Sequence, residues 1–237
     1  MILIKYASKL RPTEFIRAMN NIRTMTKTEF KVIVSCDAID RTMNNEPMIN
    51  RVKSDYPFAS MYFGPSQGKV AAINRDMDKA GEWNILVNFS DDMVFRVRGW
   101  DVVLRKRISS TWTDSDWFAH FNDGYIGKVL PTMSIMGYDY YQRFGYIYHP
   151  SYKSFSCDAE AMCVAIQLGK YRYFPDVLFK HEHPANNRRL KGDRLYQINS
   201  RYGIQDTTNY FKRLNKYFDQ DPDTMPVSFK QHVGRKI

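Results

Sequence analysis

The segment Ile85-Leu86-Val87-Asn88-Phe89-Ser90-Asp91-Asp92-Met93-Val94-Phe95 sets two adjacent carboxylates between apolar runs. The run before them is short and rich in branched side chains, as in a buried strand. Paired carboxylates repel, and one takes up a proton unless a cation compensates them. A divalent-metal site at the carboxyl end of a strand answers that need, since open α/β sheets place ligands there. A polar strand-to-turn junction is the other reading. Further candidate groups stand at other expected element ends: Asp37 closes an apolar run, Asp158 and Glu160 open a helical stretch, and His181 and His183 follow the last strand. The two histidines are two apart, so on an extended segment both face one side and Glu182 the other. Carboxylate oxygens with an imidazole suit Mn²⁺ or Mg²⁺, whereas zinc usually takes more nitrogen or sulfur. Asp158 either caps its helix and favours the dipole or takes a proton from an attacking hydroxyl as general base. Gly64-Pro65-Ser66-Gln67-Gly68-Lys69 offers amides and an amine at a helix start, a cradle for an anion. It is not a Walker loop, because Val70 stands where Ser or Thr is required.

The elements that must position these groups alternate between strand and helix in the first half. Strands are expected at Met1–Tyr6, Phe30–Ser35, Ala59–Phe63 and Ile85–Phe89. Phe15, Met19 and Ile22 mark one helix face after Pro12, and Val70, Ile73, Met77 and Ala80 form the stripe of another that Gly81 stops. Such alternation predicts a mostly parallel sheet flanked by helices. In the second half a helix is expected from Gly99-Trp100-Asp101 through Ile108, strand-like patches at Asp116–Phe121 and Thr132–Met136, and a helix over Asp158–Leu168 with Met162, Ala165 and Ile166 inward. Short strands at Tyr171–Phe174 and Val177–Phe179 lead to the histidines, and Asp219–Pro226 reads as a polar turn before the tail. The expected organisation is one α/β domain over 1–184 and a basic, mainly helical extension over 185–237.

The chain has 237 residues and no run approaching the roughly 20 apolar residues of a membrane span. It lacks a signal-peptide profile, and its three cysteines, Cys36, Cys157 and Cys163, leave one over in any disulfide scheme. A reducing, cytoplasmic compartment is expected. The formal charge of +10 fits a nucleic acid, an anionic membrane or a phosphorylated substrate, or plain solubility. Basic residues gather after His183, at Arg188, Arg189, Lys191, Arg194, Arg201, Lys212, Arg213 and Lys216. Tyr196, Tyr202, Tyr210, Phe211 and Tyr217 among them could stack on bases. Tyr210, Leu214 and Tyr217 could equally be the buried face of a terminal helix.

In order along the chain these features resemble the family 2-like glycosyltransferases of the GT-A fold, over roughly Leu3 to Pro184. The resemblance rests on Gly68-Lys69-Val70-Ala71-Ala72-Ile73-Asn74-Arg75, on Gly81-Glu82-Trp83 with the strand that ends in Ser90-Asp91-Asp92, and on Phe144-Gly145. It continues with Asp158-Ala159-Glu160 and with Lys180-His181-Glu182-His183-Pro184. The chain departs from the family pattern in three places. Its first strand ends Ile4-Lys5-Tyr6-Ala7-Ser8, its metal motif reads Phe89-Ser90-Asp91 without the first Asp of a strict Asp-x-Asp so that Asp91-Asp92 become the working carboxylates, and Cys157 stands where an acidic partner often precedes Asp158.

The resemblance implies a metal-dependent, inverting transfer of a sugar from a nucleotide sugar, a UDP-sugar, to a hydroxyl. In that scheme Asp92 with His181 or His183 holds Mn²⁺ or Mg²⁺, and Asp158 deprotonates the acceptor. Asp37, Lys69, Asn74 and Asp91 serve the donor, and Trp100 and Asp101 border the acceptor. The acceptor is a saccharide, free or lipid-linked, or a hydroxymethylated base in DNA, since compact transferases of this look also occur in phages, which would place the protein in a phage-infected bacterial cell. From other classes, the same residues admit a non-catalytic nucleic-acid-binding protein or a metal-dependent nucleotidyl or phosphoryl transferase.

Overall fold

Alternating apolar residues send one set of side chains to each face of a strand, and here both faces are covered. The computed structural model describes residues 1–183 and 193–225. Its elements run β1 (Ile2–Ser8), α1 (Pro12–Met25), β2 (Phe30–Asp37), α2 (Glu46–Asp55), β3 (Ala59–Gly64), α3 (Lys69–Asn74), β4 (Ile85–Phe89), β5 (Met93–Phe95) and α4 (Trp100–Ser109). They continue with β6 (Phe118–Asn122), β7 (Ile135–Gly137), α5 (Tyr138–Gln142), α6 (Cys157–Gln167), β8 (Tyr171–Val177), β9 (Phe179–His181), α7 (Arg194–Ser200) and α8 (Gly203–Leu214). Seven strands form one sheet in the order β3-β2-β1-β4-β7-β6-β8. β3, β2, β1 and β4 are mutually parallel, β7 is antiparallel to both β4 and β6, and β8 is parallel to β6. All strands of the sheet except β7 therefore end on the same side.

One face of the sheet carries Ile4, Tyr6, Val34, Val87 and Phe89 against α1 and α4, through Phe15, Met19, Ile22, Trp100 and Leu104. The other carries Leu3, Ile33 and Leu86 against Val70 and Ile73 of α3, Tyr140 of α5 and Ala165 of α6. The result is a three-layer α/β sandwich. Each fully buried aliphatic or aromatic side chain contributes about 1.5–3 kcal/mol.

Several sequence expectations need correction. The helix expected over Val70–Ala80 breaks after Asn74: Arg75 is extended, Asp76 is left-handed, and only a 3₁₀ turn, Met77–Lys79, follows. Arg75 explains the break, since its guanidinium turns back to the carbonyls of Cys36 and Pro65 at 2.6 and 2.8 Å. Of the side chains expected inward on α6, Ala165 is buried while Met162 and Ile166 are only half-buried. Trp100 and Asp101 do not line the main cavity. Trp100 stacks on Phe95 at 3.9 Å between centroids, and buried Asp101 accepts the Lys27 and Thr28 amides just past α1. The helix α2, started by Asn45 accepting from the Met48 amide, has no counterpart among the sequence expectations. Arg188, Arg189, Lys191, Pro184, Pro226 and the tail lie outside the described residues.

Candidate active site

β4 runs out at Phe89, and the chain turns through Ser90, Asp91 and Asp92 into β5. Phe89 and Phe95 flank that turn and stack at 4.6 Å between centroids, with Trp100 extending the stack. The carboxylates thus sit on a short loop clamped at its base by aromatic packing. β5 pairs antiparallel with β9, Met93 opposite His181. This register carries an imidazole from the far end of the domain to within 3.3 Å of Asp92, His181 Nε2 to Oδ2. The Glu182 amide donates to the Asp92 carbonyl at 2.6 Å and locks the approach. The His183 ring lies 5.3 Å from that of His181 and 5.3 Å from Tyr196 of α7.

The two adjacent aspartates behave differently. Asp91 is buried, and burial pushes its carboxyl up to about 7 against the opposing pull of the Tyr6 hydroxyl and Arg11. Tyr6 Oη donates to Asp91, and Arg17 donates to the Asp91 carbonyl at 3.2 Å. Burial also acts to raise Asp92, but the hydrogen bond and charge of His181, the Lys69 ammonium and the Ser90 hydroxyl outweigh it. They hold Asp92 well below the usual carboxylate range. Asp92 therefore stays charged beside an imidazole, a donor pair that suits a hard divalent cation. Among the described residues no group of three or more His, Cys, Asp or Glu is gathered as a closed metal site.

These groups line one cavity of about 570 Å³ at the carboxyl ends of the parallel strands. Asp37, Lys69, Asp91, Asp92, Asp158, His181 and His183 all reach it. Asn74 does not. Its carboxamide accepts from the Ile147 and Tyr148 amides at 3.0 and 3.1 Å and donates to the Tyr148 carbonyl at 2.6 Å, tying α3 to that segment. Asp37 accepts from Lys9 and Ser66, each at 2.6 Å. Gly68, at φ +107°, starts α3 where a Cβ would stand 3.2 Å from the Lys153 carbonyl, so this backbone close to the cavity suits glycine.

Asp158 lies in the first turn of α6, after a start at Ser156 in the left-handed region. Burial raises its carboxyl, opposed by the Lys69 charge. It is thus an acid within the first helical turn, facing the cavity and not acting as the N-cap. Two residues on, Glu160 is sealed away: Tyr152 donates to it at 2.6 Å and Arg213 of α8 clasps it at 2.8–3.1 Å. The Arg213 charge is therefore spent on internal structure.

The C-terminal helices form a wall of the cavity, with Leu195, Tyr196, Ile198, Asn199 and Tyr202 facing it. Arg11 fixes the start of α7 by gripping Asp193 at 2.6 and 2.8 Å, and Asp193 in turn caps the Tyr196 amide at 2.8 Å. Buried Asp206 of α8 accepts the amides of Lys153, Ser154 and Phe155 at 2.7–3.0 Å, which shapes the loop leading to Asp158. The remaining wall is the loop after β6, where Ile126, Leu130 and Thr132 line the cavity. Lys9, Arg11, Ile126, Leu130, Leu195, Ile198 and Asn199 escaped the sequence reading, whereas Tyr196 and Tyr202 were read as stacking faces for bases. A capping Asp before a helix was the only signal for α7, and Asp123-Gly124 the only one for the loop.

No protein-family model matches the chain, and no curated protein matches it. Solved structures do. A mannosyltransferase, PcManGT from Pyrobaculum calidifontis, in complex with GDP-Man and Mn²⁺, superposes with a TM-score of 0.71 at 13% identity, over 98% of this chain and 68% of that one. S. aureus TarS 1–349 in complex with UDP gives 0.59 at 12% identity, over 94% and 76%. The same TarS fragment with UDP-GlcNAc gives 0.58 at 12%, over 81% and 59%. S. aureus TarS itself is matched over only 37% of its length. The chain has the GT-A-like fold of nucleotide-sugar glycosyltransferases.

Proposed function

We propose that this chain is a metal-dependent, inverting glycosyltransferase that moves a sugar from a nucleotide sugar, a UDP-sugar, to an acceptor hydroxyl. The observation that carries the reading is the convergence of Asp92, His181, Lys69 and Asp158 on one cavity where parallel strands end. The neighbours with GDP-Man and Mn²⁺ and with UDP-GlcNAc support it.

Asp92 and His181 would hold Mn²⁺ or Mg²⁺, with His183 next to them. When bound, the ion would offset charge on the diphosphate leaving group. Lys69 adds a positive charge from the start of α3, close enough to depress both Asp92 and Asp158. Asp37, with Lys9 and Ser66, faces the nucleoside end and would accept hydrogen bonds from the base or ribose. Asp91, pinned by Tyr6, would orient the donor from beside Asp92. Asp158 would take the acceptor proton as the acceptor oxygen attacks the anomeric carbon. The bond from that carbon to the phosphate oxygen breaks, and the nucleoside diphosphate leaves with its electrons. A single displacement of this kind inverts the anomeric centre. The acceptor hydroxyl approaches from the side of Ile126, Leu130 and Thr132.

Release of nucleoside diphosphate from a panel of UDP- and GDP-sugars with Mn²⁺ tests the reading, comparing wild type with Asp92→Ala. Turnover with one donor that disappears in the variant is expected. Neither turnover nor donor binding, with either ion, would overturn it.

A further inference from the structure

Several large apolar side chains are left in water on the side of the molecule where β6 and β8 end. β6 and β8 end on the same side as β4, because β7 is antiparallel to both β4 and β6 and β8 is parallel to β6. At those ends stand Tyr125, 43% exposed, Val129, 68% exposed, and Val177, 38% exposed. Ile39, just after β2, and Ile204, in the first turn of α8 beside cavity-lining Gly203, are exposed as well. A Cβ on Gly124 would touch both Val177 and Lys180, and the Lys180 ammonium sits 5.9 Å from the Tyr125 ring, so these side chains form one patch. Lys128 is exposed between Ile126 and Val129. The nearest acid on β8, Asp176, is engaged by Arg107 at 2.8 and 3.0 Å.

The loop is rigidly made. Asp123, fully buried, accepts the amides of Tyr125, Ile126 and Gly127 at 2.7–3.2 Å and the Thr132 hydroxyl at 3.1 Å. Its carbonyl also accepts the His181 amide at 3.3 Å. The same frame turns Ile126 and Leu130 into the cavity and leaves Tyr125 and Val129 outside it. A built loop that holds apolar tips and an aromatic ring in water, flanked by lysines, matches the chemistry of a headgroup interface. Tyrosine suits that depth, and lysines beside it attract anionic lipid. The net charge of +10 favours the same partner.

We infer that the loop Asp123–Thr132, with Val177 and Lys180, seats the protein on an anionic lipid surface with the cavity mouth turned toward it. Joined to the transferase reading, on which this clause rests, it makes the acceptor a lipid-borne hydroxyl compound, a lipid-linked saccharide. Its apolar portion lies along Ile126 and Leu130 while its hydroxyl meets Asp158.

The full chain is sedimented with vesicles of phosphatidylcholine alone and of phosphatidylcholine with phosphatidylglycerol. The double variant Tyr125→Ser/Val129→Ser and the single variant Lys128→Glu are compared with it. Association with the anionic vesicles is expected, weakened about tenfold or more when the two apolar tips are removed and also reduced in Lys128→Glu. Hydrolysis of the donor in solution, read alongside, tests the transferase reading separately and is expected to be unchanged in the double variant. Wild type left in the supernatant with both vesicle types overturns the proposal, as does undiminished sedimentation of the double variant. A chain that ignores vesicles but shifts duplex DNA, with the shift lost in Lys128→Glu, overturns it in favour of nucleic acid on this face.

Discussion

Along the wall made by β1, β2 and β4, the carboxylates that line the cavity stand where a buried strand runs out. Along the opposite wall, loops and helices are held from beneath by buried carboxylates. Asp37 and Asp92 are placed by the strands they follow, Asp92 also by the stacked rings behind it. The loop that presents Ile126 hangs on Asp123, the loop before Asp158 hangs on Asp206, and α6 is bound to α8 through Glu160 and Arg213. The difference matters because a carboxylate accepting several backbone amides cannot be replaced without leaving those amides unmet. The strand wall resists substitution by packing, and the loop wall depends on a few polar centres.

The largest effect expected is on Asp92. Asp92→Ala should reduce metal-stimulated donor turnover to the metal-free background while the thermal midpoint is retained; persistence of a metal response would remove Asp92 from the strand wall's function. Asp158→Asn should lower kcat by about 10²–10⁴ and leave donor affinity nearly unchanged. Because burial raises the Asp158 carboxyl, wild-type kcat/KM should fall as pH drops through a point above the ordinary carboxylate range, and the variant should lose that limb.

Asp206→Ala tests the loop wall away from the chemistry. Three amides lose their acceptor, so denaturant unfolding should show a loss of about 3 kcal/mol together with reduced kcat; an unaffected variant would break the contrast drawn between the walls. On the strand wall the counterpart is Lys5, wholly buried with its ammonium on the Ser35 hydroxyl and the Ala72 carbonyl. Burial lowers its pKa to about 7, from the ordinary lysine value of 10.5. Between those values the unfolded chain holds the proton and the folded chain does not, so stability should rise with pH by up to about 1.4 kcal/mol per unit. Lys5→Met should remove that part of the slope in pH-dependent urea titrations. The smallest effect is expected at Asn74. Asn74→Ala should cost about 1–2 kcal/mol of stability with KM for the donor unchanged, and a KM raised tenfold would return Asn74 to donor binding.

Much of the strand wall was legible before any coordinates. Branched runs ending in Asp37 and in Asp91-Asp92 announce buried strands with polar ends, and alternation of strand and helix implies the parallel order. The Gly68-Lys69 helix start was legible for the same local reason, though its early end at Arg75 was not, because the guanidinium reaches carbonyls far along the chain. Asn74 illustrates the limit of motif matching: the residue is where the resemblance expects it, yet its amide is committed to the Tyr148 backbone. Glu160 and Asp158 are indistinguishable as helix-opening acids, and only the arrival of Arg213 and Tyr152 separates the sealed one from the one facing the cavity.

By itself the sequence determined the α/β class, the strand ends and most of the polar groups of the cavity, because burial and alternation act over a few neighbouring residues. Only the tertiary structure decided that His181 stands against Asp92, that α7 and α8 close the cavity instead of trailing from the domain, and that Tyr125 and Val129 face water at its mouth. Those outcomes depend on the register of β5 with β9 and on carboxylates that gather amides from loops far away in the chain. No local pattern records which distant partner a buried charge will find.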